Sequence, residues 1–216
     1  MTAEPVAPGA PRSRSERTAD SRLLILDAAV ACLVEDGYAG ASTLAVQARA
    51  GVSRGRLLHH FPSRAQLLVA AAEHLSSTLL EETRLRAAEL MADQPPGPER
   101  VGRAIDLMWA TFQEPPFWAA MELWTAARTD PELRAALRAE DRRLRSAIRA
   151  VADEIWGPEV AAAPLYGELC EVLFTSMRGV ALVYAFEDRP AATDPHLPLW
   201  KRLATRMLAL DGQGSS

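Results

Sequence analysis

Between Ser21 and Asp36 the apolar residues Ile25, Ala28, Ala29, Cys32 and Leu33 recur at i, i+3, i+4, i+7 and i+8. That is the stripe of a helix with one buried face, and Gly37 supplies its stop. Ser42 stands where it can cap a second helix running to Ala50, Gly51 suits a tight turn, and Ser53 caps a third helix that Pro62 ends. Two short helices joined by a Gly-centred turn have the outline of a helix-turn-helix. Ser63 then caps a long helix that starts with Arg64 and carries Leu67, Leu68, Ala71, Leu75 and Leu79 toward Met91. The Pro- and Gly-rich run 93–98 breaks it. Further helical patterns cover about Glu99–Gln113, Pro116–Arg128, Pro131–Trp156, Pro164–Glu187 and His196–Leu210. No segment alternates with a period of two, so the predicted fold is all-α with about nine helices. Residues 1–20, rich in Pro, Ala, Ser and Arg, read as a disordered basic tail. Residues 21–66 form the helix-turn-helix unit, and 67–211 a larger helical unit.

An apolar share of 49% over 216 residues is ample for a sizeable core. The net charge of -4 argues against a nucleic-acid partner until its distribution is considered. Residues 1–64 hold eight Arg and six Asp or Glu, whereas the rest holds sixteen basic and twenty-two acidic residues. From Gly37 to Arg64 there is no acid at all, only Arg49, Arg54, Arg56 and Arg64 with His59 and His60. This is the stretch able to face phosphates; Arg12, Arg14 and Arg17 of the tail either join it or merely solubilise the chain. Cys32 and Cys170 sit far apart in apolar patterns and read as inert core thiols. His74 and His196 lack an HExxH or other paired-ligand context, and no GxSxG, Walker loop or GxGxxG occurs. No catalytic residue, metal or cofactor is therefore expected. No apolar run approaches the ~18 residues that span a bilayer, which implies a cytoplasmic protein without a membrane partner. A single lysine against twenty-three arginines fits a GC-rich genome.

On the third helix Val52, Leu57 and Phe61 are predicted to face inward. Arg54, Gly55, Leu58 and His59 then point outward with Arg56 at the flank. Gly55 lets the backbone approach base edges, and Arg54 or Arg56 can donate two hydrogen bonds to guanine O6 and N7. The run Gly51-Val-Ser-Arg-Gly-Arg-Leu-Leu-His-His-Phe-Pro-Ser-Arg-Ala-Gln-Leu-Leu, preceded by Gly37-Tyr38 and Ser42, closely resembles the TetR family of bacterial transcriptional regulators over about residues 22 to 68. The resemblance implies that Ser42, His60 and Arg64 hold backbone phosphates, with Thr43 and Ser53 in the same DNA-binding set. A buried, carbonyl-capping role for His60 stands beside that reading, and Arg49 is expected on the solvated surface. Three residues depart from the family pattern: Leu58 where a Tyr is usual, Arg56 where a small or hydroxyl residue is usual, and Gln47 where Ala is usual. Arg56 is then either a specificity reader or a phosphate clamp.

In the larger unit Trp109, Phe112, Phe117, Trp118 and Trp124 crowd together with Met121, Glu122 and Arg128, and Phe174, Met177 and Tyr184 recur later. Two readings stay open: a plain core stripe, or the wall of an apolar cavity with a few polar anchors. The resemblance favours an effector pocket for an apolar or aromatic small molecule, with Glu122 or Arg128 as orienting groups. It also implies a homodimer built on Pro164–Glu187 and His196–Leu210, reading a near-palindromic operator on double-stranded DNA as a repressor. The alternatives are a regulator controlled by a protein partner and an all-α enzyme or carrier.

Overall fold

The N-terminal helices begin where their caps stand. In the computed structural model, which describes residues 14–208 apart from 96, 188 and 189, the Ser42 hydroxyl accepts the Ala45 N–H at 3.1 Å and opens α2 (Thr43–Ala50). Ser53 accepts from Arg56 at 3.3 Å and opens α3 (Arg54–His60). Ser63 accepts from Gln66 at 3.2 Å and opens α4 (Arg64–Met91). Each bond satisfies an amide that the first turn of a helix leaves unpaired. Between α2 and α3, Gly51 takes φ 63° and ψ 28°, the left-handed turn that a glycine adopts without Cβ strain. The helix before them, α1 (Arg14–Gly40), is broken at Gly37 by φ 66°, so the predicted stop is real.

Beyond α4 follow α5 (Pro98–Thr111), α6 (Pro115–Ala126), α7 (Pro131–Trp156), α8 (Pro158–Ala161), α9 (Tyr166–Ala181) and α10 (His196–Met207), with 3-10 turns at Leu182–Ala185 and Ala191–Thr193. The described residues contain no strand, and the chain is all-α as expected. Three boundaries differ from prediction. The helix reaches back to Arg14, into the stretch read as a disordered tail, because Arg, Glu and Ala favour helix and no Pro or Gly intervenes before Gly37; Arg12 and the rest of the tail lie outside the described residues. The pattern read as Pro164–Glu187 resolves into α9 and a 3-10 extension, the tighter winding common at helix ends. Pro158, at the first helical position, starts the short α8 that periodicity over so few residues could not reveal.

Two apolar clusters hold these helices. One gathers Ile25, Ala29 and Leu33 of α1, Val46, Leu57 and Phe61 of the helix-turn-helix, and Leu67 and Leu68 of α4. It also takes Ala119 and Leu123 from α6 and Leu133 from α7, so the N-terminal unit is seated on residues far beyond position 66. The other joins Ile105, Trp109 and Phe112 to Trp156, Tyr166, Leu173, Trp200 and Ala204. Burying each of the larger aliphatic or phenylalanine side chains contributes roughly 1.5–3 kcal/mol. The indoles are satisfied within it: Trp109 Nε1 donates to the Ala191 carbonyl at 2.8 Å, and Trp200 Nε1 to Ser176 Oγ at 2.9 Å. Cys32 and Cys170 are buried and unpaired with each other. Among the described residues no helix is long and apolar enough to cross a membrane.

Candidate DNA-reading face and cavity

On α3 the inward and outward sets fall as the sequence predicts. Leu57 and Phe61 are buried and Val52 is half-buried, while Arg54, Gly55, Arg56, Leu58 and His59 are exposed. A Cβ added at Gly55 would meet nothing within 4 Å, so the backbone there is open to an approaching groove. Neither Arg54 nor Arg56 is paired with a carboxylate among the described residues. Ser42 and Ser53 spend an acceptor lone pair on their caps but keep a hydroxyl proton to donate, and Thr43 beside Ser42 is half-buried.

His60 is half-buried, with its ring edge-on to His59 at 5.5 Å and beside Phe61 at 6.3 Å. Burial pushes its pKa below the ordinary histidine value, and the neighbouring His59, Arg22 and Arg56 add to the effect. The imidazole is therefore neutral at neutral pH, in the field of the Arg22 and Arg56 guanidiniums. Arg22, whose guanidinium lies 5.3 Å from the Phe61 ring centroid, belongs to that group and was not singled out from the sequence. No local pattern signalled it, since Phe61 lies 39 positions further along the chain.

Two other arginines are used up internally. Arg49 grips Glu35 through both oxygens at 2.7 and 2.6 Å, so it is exposed as expected but its charge is neutralised. Arg64 turns inward: Nε donates to the Ala41 carbonyl at 3.0 Å, Nη2 donates to the Tyr38 carbonyl, and the guanidinium lies 4.0 Å from the Tyr38 ring centroid. Any phosphate contact by Arg64, the role the resemblance implies, would come from a side chain already holding these two carbonyls. The segment after the break at Gly37 leaves carbonyls without helical partners, and a nearby guanidinium with a fork of donors takes them.

A cavity of about 700 Å³ opens among α4, α5, α6, α7 and α9. Of the expected aromatic set, Phe112, Phe117, Met121, Trp124 and Phe174 line it. Trp109 and Met177 instead lie in the second core, and Trp118 packs against it. Tyr184 donates to Asp194 at 2.6 Å. Glu122 and Arg128, expected as orienting groups, are both exposed away from the cavity. Glu122 accepts the Tyr38 N–H at 2.9 Å, and Arg128, past the end of α6, offers its carbonyl to Arg134. The reason is helical phase: Met121 and Trp124 are three positions apart and share a face, whereas Glu122 is turned about 100° from Met121. The charged groups at the wall are others, namely Arg145, Arg149 and Asp153 on α7 and Glu171 and Arg178 on α9. Arg178 stacks 4.7 Å from the Trp124 ring centroid, and Arg149 pairs with Asp153 at 3.2 Å. The Tyr166 hydroxyl donates to Asp153 at 2.8 Å, and burial drives its pKa far above the ordinary phenol range. Positions 145, 149 and 153, spaced by four, carried a readable signal for one polar stripe. Among the described residues no cluster of His, Cys, Asp or Glu could hold a metal ion.

Residues 25–71 match the family model for bacterial regulatory proteins of the tetR family. The chain is 31% identical over 175 residues to the HTH-type transcriptional regulator CymR of Pseudomonas putida, a span of 79% of this chain and 82% of that one. It is 30% identical over 121 residues to the transcriptional repressor AcnR of Corynebacterium efficiens, covering 56% and 57% of the two. Among solved structures, the multidrug binding protein EbrR complexed with ethidium superposes with a TM-score of 0.52 at 25% identity, over 87% of this chain and 98% of that one. Salmonella enterica GusR gives 0.54 at 20% identity, over 88% and 96%. With a capped helix-turn-helix, an all-α body behind it and a regulator matched over four-fifths of its length, this chain belongs to the tetR family of bacterial transcriptional regulators.

Proposed function

We propose that the protein is a repressor that binds a near-palindromic operator as a homodimer and leaves it when an apolar or aromatic small molecule enters the cavity. The observation that carries this reading is the outer face of α3, where Arg54 and Arg56 stand exposed with no carboxylate partner among the described residues. Each can read a guanine edge, while Ser42, Thr43, Ser53, Leu58, His59 and His60 surround them as backbone or groove contacts. Arg64 acts one step back, by fixing the loop that carries Ser42.

Dimerisation is supported by the apolar residues that α9, its 3-10 extension and α10 leave in solvent, Val172, Leu182 and Leu199, and by Phe186 just past the extension, at 79% exposure. A two-fold pair built on that face would present two α3 helices one DNA turn apart, roughly 34–36 Å. The effector reading is supported by the volume and aromatic lining of the cavity. It also draws on EbrR, a similarly folded protein whose structure holds ethidium. The protein then acts on DNA in the cytoplasm, without a cofactor.

Selection of binding sites from random DNA by the purified protein tests this directly. The expected product is a two-fold sequence with half-sites about one turn apart. Recovery of no enriched sequence, or of an asymmetric single site, would defeat the operator reading. Addition of hydrophobic compounds to the complex should release DNA together with a change in Trp124 fluorescence.

A further inference from the structure

Helix α6 serves two masters. Ala119 and Leu123 are buried in the N-terminal cluster, whereas Phe117, Ala120, Met121 and Trp124 line the cavity. From a third side of the same helix Glu122 Oε2 accepts the Tyr38 N–H at 2.9 Å. Tyr38 is held at every polar point: its hydroxyl donates to Asp130 Oδ2 at 2.9 Å, its carbonyl accepts from Arg64, and its ring lies under the Arg64 guanidinium. Asp130 caps α7 by accepting from Leu133 at 3.0 Å, so α6, the cap of α7 and the first residue of α4 converge on one residue just after the break at Gly37. The glycine at 37 admits this contact. Its φ of +66° is strained for other residues, and a Cβ there would come within 3.2 Å of Glu122 Oε2.

We propose that the Glu122–Tyr38 contact is the latch through which occupancy of the cavity is communicated to the DNA-reading helices. It rests on the reading that occupancy releases DNA. A molecule seated against Phe117, Met121 and Trp124 displaces α6; Glu122, on the same rigid turn, moves with it and carries Tyr38, four residues before the Ser42 cap of α2. The rival carrier is α4, a single 28-residue helix that lines the cavity with Leu79, Leu80 and Thr83 and buries Leu67 and Leu68 in the N-terminal core. Glu122 is a positioning residue in this scheme, remote from DNA and turned away from the cavity.

The test imposes occupancy in two ways on the full-length protein with a selected operator: by Ala120→Trp, which fills the cavity from α6, and by the dye 8-anilino-1-naphthalenesulfonate, whose own fluorescence reports binding. Each is expected to weaken operator binding about tenfold in the parent, and less than about twofold when combined with Glu122→Ala. Glu122→Gln, which keeps an acceptor for the Tyr38 N–H, restores the full effect. Dye affinity in the absence of DNA stays the same in all three proteins. An equal weakening with and without Glu122→Ala overturns the latch, assigns transmission to α4 and leaves release itself standing. No weakening by either occupant in the parent overturns both release and latch.

Discussion

The DNA-reading unit and the cavity treat charge in opposite ways. On α3, Arg54 and Arg56 stand exposed without carboxylates, and the residues from Gly37 to Arg64 include no acid. At the cavity wall three arginines are interleaved with Asp153 and Glu171, and aliphatic and aromatic side chains cover most of the rest. Unpaired cations in water wait for a polyanion, because releasing the counterions of DNA drives the association. A largely apolar wall whose arginines are mostly offset by acids has little such pull and selects by shape and burial instead. The contrast also separates stability from function: α3's outer side chains touch little of their own protein, whereas the aromatic residues of the body hold it together.

The largest effect should come from breaking that separation in the core. Trp109→Ala removes an indole that is 3% exposed and bonded to Ala191, and is expected to cost about 3–5 kcal/mol of folding stability in denaturant melts. DNA binding would fall only as far as the folded fraction does. The double variant Arg54→Ala/Arg56→Ala should do the converse. Each lost base contact weakens operator binding by roughly 1–3 kcal/mol in anisotropy titrations, with the melting temperature unmoved. A normal affinity in that variant would remove α3's outer face from DNA recognition. Ser53→Ala lies between the two regions, since it frays α3 without touching the body; the loss of its cap should cost about 1 kcal/mol by denaturant titration. The smallest effect concerns pH. His60 has a folded pKa below the ordinary 6.5, so the unfolded chain takes up its proton first as pH falls through that value. Stability should therefore drop from about pH 7 toward pH 5, and His60→Gln should flatten the slope of melting temperature against pH. An unchanged slope would mean that other groups carry it.

The two regions also differ in how far their sequence could be read. The caps at Ser42, Ser53 and Ser63, the turn at Gly51 and the inward set Leu57 and Phe61 are local, each decided within a few residues of itself. The inward bonds of Arg64 could not be read, because its partners, the Tyr38 and Ala41 carbonyls, lie 26 and 23 residues away. Within the aromatic run, Trp109 and Phe112 are three positions apart on neighbouring turns, yet one is bonded to Ala191 and the other borders the cavity. Periodicity identifies the apolar face of such a helix but not which part of it meets a neighbour and which meets a void; that depends on where α9 and α10 dock. Glu122 makes the same point from the polar side, since its partner is 84 residues away.

The open space around Gly55 has a consequence for how such a regulator changes its target. Glycine inside a helix costs roughly 0.5–1 kcal/mol relative to alanine, and nothing in the fold crowds the position, so replacing it should leave the protein folded or slightly steadier. The fold therefore exerts almost no veto over what stands there or at Arg54 and Arg56. Operator preference can drift one substitution at a time across the outside of α3 while the scaffold behind it stays unaltered, so an old body can be redirected to a new promoter without being rebuilt.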